Sequence, residues 1–263
     1  MIESKLTTII EQFKQFPQVK AIAIGGSTAA KTMDKSSDID VYFFITEGID
    51  VCEREEIIAK ISSKYEVGGE YFGSGDEFFV DSIGIQFDVM YWNVGWFEDV
   101  VKNVWEKHYP SNGYTTCFLY TLSVFNIIYD TENWLKTLQE SIKTDYPAEL
   151  QQNIIKRNIM LMKDKPFASY YEQIEKAVKR NDLISINHRV AAFMASYFDV
   201  IFALNKLLHP GEKRLLKYAL EHCTILPAEF EKNINKLYNS NPIEVLPILD
   251  DLILNLKAVL PEN

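Results

Sequence analysis

An apolar run that breaks at two glycines constrains the fold of this chain more than any other feature. Residues 19–24 are apolar except for Lys20, and residues 25–27 read Gly-Gly-Ser. Asp38 and Asp40 then open a second apolar run, residues 41–45. This order predicts a strand, a tight turn, a short helix and a second strand.

The glycine turn is a candidate phosphate-binding loop. Ser27 is a candidate helix N-cap, and Gly25 and Gly26 lack side chains that would hold a ligand away from the backbone. The N–H groups at the start of a helix have no intrahelical partner, so they favour an anion. An ordinary turn with a helix cap is the simpler alternative, but it does not explain the aspartates that follow.

The two aspartates are candidate metal ligands. Asp38 and Asp40 are two residues apart on a predicted strand, so their carboxylates leave the same face. Two carboxylates beside a phosphate site favour a divalent cation. A turn-capping role is an alternative for Asp38, but it does not cover Asp40, which lies inside the apolar run.

Together these residues resemble the signature of the nucleotidyltransferase superfamily, which includes DNA polymerase beta and the antibiotic nucleotidyltransferases. In that signature a strand is followed by Gly-Ser, a short helix and Asp-apolar-Asp. Residues 26–27 and 38–40 match it. The signature also has a third carboxylate on a later strand, and Asp88 in the apolar run of residues 83–92 is the candidate. Alternation along this run puts Gln86 and Asp88 on one face.

The resemblance implies a chemistry for these residues. An acceptor hydroxyl would attack the α-phosphorus of an NTP such as ATP, and pyrophosphate would leave. Gly26 and Ser27 would hold the β- and γ-phosphates. Asp38, Asp40 and Asp88 would bind Mg²⁺ as catalytic residues, and Asp88 would help to deprotonate the acceptor. Glu70 is an alternative general base.

The sequence departs from the family pattern after the serine. Many relatives carry a glycine four or five residues further on, whereas Ala30, Lys31 and Thr32 stand here. Lys31 is therefore a candidate extra cation near the triphosphate, where a lysine acts as a point charge.

A cluster of cations in the second half of the chain is a further candidate for nucleotide binding. Lys213, Arg214 and Lys217 have spacings that would put them on one side of a helix, facing the phosphates. A solvated helix face is the alternative. Residues 203–218 resemble the helical partner domain of a little-characterised bacterial branch of these enzymes.

Two regions of different character follow from the patterns along the chain. Strand signals and the motifs lie in residues 1–115, for which we predict a nucleotidyltransferase catalytic domain with a small mixed sheet. From Thr121 helical periodicity dominates, and residues 116–263 are predicted to form an all-helical, acceptor-binding domain. The fold class is therefore α+β, with a ligand cleft expected between the domains.

Charge limits the classes of partner. The formal net charge is −10, which disfavours a long nucleic acid because such binding depends on lysine and arginine at phosphates. Binding of a single nucleotide is compatible with this charge, because a metal ion and a few local cations can neutralise its phosphates. The acidity suits a cationic acceptor such as an aminoglycoside. Three scattered cysteines make neither a zinc site nor a disulfide framework.

These observations predict a cytoplasmic protein, a monomer or homodimer, that binds an NTP and a small-molecule acceptor. The chain has no apolar run of membrane-spanning length and no signal-peptide pattern at its N-terminus. Two alternatives stay open. One is a non-catalytic, regulatory nucleotide-binding module, and the other is a transferase that modifies a protein or a tRNA end.

Overall fold

The protein divides into two compact units, each assembled from separate stretches of chain. A computed structural model describes residues 10–26, 38–71, 73–82, 84–164 and 167–261. The first unit comprises Met1–Lys102 and Thr121–Thr144, and the second comprises Asn103–Tyr120 and Asp145–Asn263. The chain therefore leaves the first unit, returns to it and leaves it again.

The first unit contains a six-stranded mixed sheet with the order β3-β4-β5-β2-β1-β6. Its strands are β1 Val19–Ile24, β2 Ile39–Ile45, β3 Tyr65–Gly69, β4 Gly75–Val80, β5 Ile85–Asn93 and β6 Asn126–Asp130. β2 and β5 pair in parallel, and every other pair is antiparallel. The sheet confirms the predicted α+β class, and β1 has the predicted bounds.

One strand lies where the sequence pattern predicts only helices. β6 follows Thr121 and pairs with β1, where Ala21 is opposite Asp130 and Ile24 is opposite Asn126. The expectation that strands end before Thr121 is therefore wrong for these five residues. Their pairing partner is about 100 residues away in sequence, so local periodicity carries no sign of it.

Short helices flank the sheet. They are α1 Val51–Ile58, α2 Val94–Val101, α3 Cys117–Val124, which crosses from the second unit into the first, and α4 Trp134–Ser141. Asp50 and Asn93 cap α1 and α2, because their side chains accept hydrogen bonds from backbone N–H groups of the first turn. A π-helical turn, Lys102–Glu106, continues from α2.

The two faces of the sheet differ in composition. One face is an apolar core that includes Phe43, Phe87 and Val89, packed with Phe13 and Ile58. The opposite face of β5 carries Gln86 and Asp88, both half-buried. This alternation has a period of two and puts the candidate carboxylates on the face away from that core.

A buried ion pair fastens α1 to the core side of the sheet. Arg54 donates from Nη1 to Oδ1 of Asp76 at 2.6 Å, and both side chains are almost fully buried. The Asp76 carboxylate also accepts from the Tyr91 hydroxyl at 2.7 Å and from the Gly68 N–H at 2.9 Å. Burial, and then the Asp76 charge, raise the pKa of Tyr91 well above its usual value. The network joins α1, β3, β4 and β5.

The second unit is helical in the part that the structure describes. Its helices are α5 Ala148–Ile159, α6 Tyr170–Lys179, α7 Leu183–Leu204, α8 Leu215–His222, α9 Phe230–Asn239 and α10 Val245–Lys257. A π-helical turn, Met160–Asp164, follows α5. The core is built around α7, which buries thirteen of its side chains. No described helix has the length and apolar character needed to cross a membrane.

A buried carboxylate organises the loop before α3. Asp199 on α7 accepts from the backbone N–H of Thr115 at 3.0 Å and from its hydroxyl at 2.6 Å. Asn158 on α5 donates to the same carboxylate at 3.1 Å and accepts from the Gly113 N–H at 3.1 Å. The loop is thus bonded to both α5 and α7.

Candidate active site

Two of the candidate carboxylates lie side by side on neighbouring strands. Asp40 on β2 and Asp88 on β5 are direct partners in the parallel pairing. Register partners in a parallel pair project to the same face, and both residues are half-buried. The predicted adjacency of these two strands is confirmed.

The glycine turn is in direct contact with Asp40. The Gly25 N–H donates to the Asp40 carbonyl oxygen at 3.0 Å. Gly26 has φ +60°, and a Cβ added there would lie 1.6 Å from Oδ2 of Asp40. Only glycine fits, because any side chain would overlap the carboxylate. The close approach leaves the Asp40 carboxylate directly beside the turn.

Aromatic side chains fill the rest of this face. Tyr42 packs against Trp92 and Phe125 with ring centroids 4.6 and 4.9 Å apart. A Cβ on Gly25 would lie 2.5 Å from the Tyr42 ring, so the tyrosine supports the turn from behind. Burial, and then the negative charge of Asp40, raise the pKa of Tyr42. The Tyr42 phenol therefore stays protonated and neutral. The charge on this face of the sheet lies with the carboxylates.

Two residues beside Asp88 were not among the predicted site residues. Glu77 on β4 is the antiparallel register partner of Asp88 and is exposed. Gln86 donates from Nε2 to Oδ1 of Asp88 at 3.0 Å. Alternation along β5 indicates that Gln86 shares a face with Asp88, but the position of Glu77 depends on the register of the β4–β5 hairpin.

The other two predicted acidic residues, Asp38 and Glu70, lie outside the paired strands. Asp38 is exposed and precedes β2, and Glu70 is exposed and follows the edge strand β3. Among the residues that the structure describes, no three histidine, cysteine, aspartate or glutamate side chains are grouped so as to hold a metal ion. The metal-binding roles of Asp38, Asp40 and Asp88 therefore stay predictions.

Five other residues were predicted to bind the nucleotide phosphates. Ser27 and Lys31 lie outside the described residues. Lys213 and Arg214 precede α8, and only Lys217 lies within it. The expected helical spacing of these three is therefore wrong, since the helix begins at Leu215. Lys217 is 3.8 Å from Glu221 in an exposed ion pair. Their contact with a nucleotide stays a prediction.

Two family models match the chain. Residues 7–70 match the model described as polymerase beta, nucleotidyltransferase. This segment contains β1, the glycine turn and β2. Residues 117–215 match a domain of unknown function, DUF4037. No curated protein matches the chain.

Three solved structures are similar to this chain at low sequence identity. A nucleotidyltransferase-like protein from Exiguobacterium sibiricum is 9% identical, with a TM-score of 0.50 over 98% of this chain and 75% of its own. The Thermotoga maritima CCA-adding enzyme complexed with tRNA is 14% identical, with a TM-score of 0.26 over 98% and 78%. A spectinomycin adenyltransferase from Enterococcus faecialis with ATP and spectinomycin is 15% identical, with a TM-score of 0.26 over 95% and 99%.

The likeness at a TM-score of 0.50 shows a shared fold. The family model adds the activity, because its match covers β1, the glycine turn, Asp38 and Asp40. Residues 7–70 therefore carry a nucleotidyltransferase domain of the polymerase beta type, which supports an enzyme that transfers a nucleoside monophosphate.

Proposed function

We propose that this enzyme uses Mg²⁺ to transfer a nucleoside monophosphate from an NTP to a hydroxyl group of a small acceptor molecule. The observation that carries the proposal is the register of Asp40 with Asp88, with Gly26 directly against the Asp40 carboxylate. This arrangement sets two carboxylates side by side on one face of the sheet, with the glycine turn against one of them.

The donor set suits Mg²⁺. Proteins bind this ion through one or two carboxylates together with substrate phosphates and water, at octahedral geometry. Asp40 and Asp88 would be those ligands, and Asp38, the residue before β2, would join them. When bound, Mg²⁺ neutralises charge on the phosphates and stabilises the attacking and leaving oxygens.

The remaining chemistry belongs to the side chains and the turn. Gly25, Gly26 and Ser27 would hold the β- and γ-phosphates in place. The acceptor oxygen would form a bond to the α-phosphorus as the bond to the β-phosphate oxygen breaks, and pyrophosphate would carry away that electron pair. Asp88 would take the acceptor proton. Glu70 lies beyond the end of β3, two strands from β5, which favours Asp88 as the base.

The charge of the chain supports a cationic, small acceptor. A formal net charge of −10 opposes a long polyanion such as tRNA. We assign phosphate contacts to Lys31, Lys213, Arg214 and Lys217, acceptor binding to the helical region, and a cytoplasmic location to the protein. An aminoglycoside has the hydroxyl groups and positive charges that this acceptor needs.

Transfer of label from α-³²P-ATP or α-³²P-GTP tests the proposal. The purified protein is incubated with Mg²⁺ and pooled hydroxylated acceptors, aminoglycosides included. We expect a labelled acceptor with the wild type and a loss of at least about 1,000-fold with Asp40→Asn, since an amide is a neutral and poorer Mg²⁺ ligand. Asp50→Asn is the matched control, because asparagine also caps α1.

Nucleotide binding gives a second measurement. A ligand that binds only the native state raises the melting temperature, so ATP or GTP should stabilise the protein with Mg²⁺ and do so much less with EDTA. Equal stabilisation in both, or full activity of Asp40→Asn, would contradict a metal-dependent transferase. Metal-dependent binding with no labelled acceptor would favour a regulatory nucleotide-binding module.

A further inference from the structure

We infer that Gln86 is a positioning residue, which orients the Asp88 carboxylate for the reaction. The inference rests on the proposed function, because it assigns Gln86 a role through Asp88. Gln86 lies two residues before Asp88 on β5, so both side chains leave the same face. Its amide is within hydrogen-bond distance of the candidate base.

The hydrogen bond has a defined direction. Nε2 of Gln86 lies 3.0 Å from Oδ1 of Asp88. An ionised carboxylate only accepts, so the amide nitrogen must donate. Both side chains are half-buried, which reduces competition from water. The bond therefore holds one oxygen of Asp88 at a fixed position.

Asp88 needs such a contact because its register partners on both sides are acidic. Asp40 is its partner on β2 and Glu77 is its partner on β4. Like charges directly opposite each other on a sheet repel, so the carboxylate would otherwise rotate away from both. Within the part of the chain that the structure describes, Gln86 is the side chain that donates to Asp88.

The contact divides the work of the two carboxylate oxygens. Oδ1 accepts from the amide, and this bond sets the direction of Oδ2, which would meet a metal ion or the acceptor proton. Residues that orient a ligand in this way change metal affinity or activity by about 10- to 100-fold when they are mutated. Gln86 is neutral, so it orients Asp88 without adding a positive charge that would compete with the metal.

A purely structural hydrogen bond within β5 is the alternative, and the chain offers a matched control for it. Gln139 is also half-buried in the first unit, and its Nε2 donates to the carbonyl oxygens of Leu122 and Phe125 at 2.9 and 3.1 Å. Gln139→Met removes two amide hydrogen bonds of the same kind away from the carboxylates. Two variants remove the Gln86 amide. Gln86→Met preserves the side-chain length, and Gln86→Val introduces a residue that is favourable in strands.

Mn²⁺ affinity distinguishes the two roles, because a purely structural hydrogen bond of Gln86 would leave it unchanged. Mn²⁺ is titrated by electron paramagnetic resonance against the full chain with a non-hydrolysable ATP or GTP analogue. We expect about 10- to 100-fold weaker Mn²⁺ binding in both Gln86 variants and wild-type affinity in Gln139→Met. In the transfer assay kcat should fall by a similar factor, with KM for the NTP changed less than about threefold.

The outcomes separate the two levels of inference. Wild-type Mn²⁺ affinity and kcat in folded Gln86→Met and Gln86→Val, with Asp40→Asn inactive, would overturn the role of Gln86 alone. Equal losses in Gln139→Met would assign the effect to the general stability of the first unit and would also overturn it. Full activity of Asp40→Asn would overturn the proposed function, and the role of Gln86 with it.

Discussion

The two units each bury an aspartate to the same extent but stabilise it in different ways. Asp76 in the first unit and Asp199 in the second are both 1% exposed. Asp76 is paired with the guanidinium of Arg54 and accepts from Tyr91 and Gly68. Asp199 accepts from Thr115 and Asn158, which are neutral.

The difference shows what a countercharge does that neutral donors do not. Burial raises the pKa of Asp199 to about 6, and the hydrogen bonds from Thr115 and Asn158 only partly oppose that shift. The helical unit therefore carries a carboxylate that titrates within a moderately acidic range. In the sheet unit the Arg54 guanidinium compensates the charge of Asp76. The stability of that unit therefore depends strongly on Arg54.

Loss of Arg54 should have the largest effect. Arg54→Met leaves a buried carboxylate without its cation, which costs about 3–5 kcal/mol in the free energy of unfolding. Urea unfolding followed by tryptophan fluorescence measures it, since Trp92, Trp96 and Trp134 all lie in the first unit.

The double variant Arg54→Met/Asp76→Asn is the control, because it removes both charges. It should be more stable than Arg54→Met alone. A double variant that loses the full sum of the two single losses would contradict a buried ion pair.

The pH dependence of the second unit should come next. An acid with a raised folded-state pKa binds its proton more tightly when folded, so the free energy of unfolding falls as pH rises from about 4 to about 6. The expected loss is at most about 3 kcal/mol, from a shift to about 6. Asp199→Asn should lack this loss, and the difference between the two proteins is measured by urea unfolding at pH 4 to 7.

Circular dichroism at 222 nm follows the helical unit in that experiment. Parallel pH profiles in wild type and Asp199→Asn would show that Asp199 does not titrate in this range.

Two tyrosine hydroxyls give the smallest effects, with opposite expectations. Tyr91→Phe removes a donor to the Asp76 carboxylate and should cost about 1.5 kcal/mol. The buried hydroxyl of Tyr197 has no hydrogen-bond partner among the described residues. Tyr197→Phe should therefore be neutral or slightly stabilising. Equal losses in the two variants, measured by urea unfolding, would contradict the distinction.

The local parts of the site are predictable from sequence because their determinants are local. An apolar run, two glycines and alternating aspartates specify β1, the turn and β2, and alternation places Gln86 and Asp88 on one face. The adjacency of β2 and β5 follows from the family motif. These predictions depend on periods of two and on backbone freedom at glycine, which need no tertiary contact.

The remaining parts depend on contacts between distant residues. β6 forms because β1 offers it a free edge, and five residues alone do not specify that pairing. Glu77 faces Asp88 because Val80 is opposite Ile85 across the hairpin, and a shift of one residue would move Glu77 to the other face. The start of α8 at Leu215 removes Lys213 and Arg214 from the helix.

The return of the chain to the sheet has a consequence for synthesis on the ribosome. β1 is complete after residue 24, but its outer edge is paired only when residues 126–130 have left the exit tunnel. During that interval the outer edge of β1, which is buried in the finished fold, has unpaired backbone groups. Such an edge is a template for pairing with another chain. We therefore expect nascent chains that stop before residue 126 to depend on chaperones more than chains that extend past residue 144, where the segment belonging to the sheet unit ends.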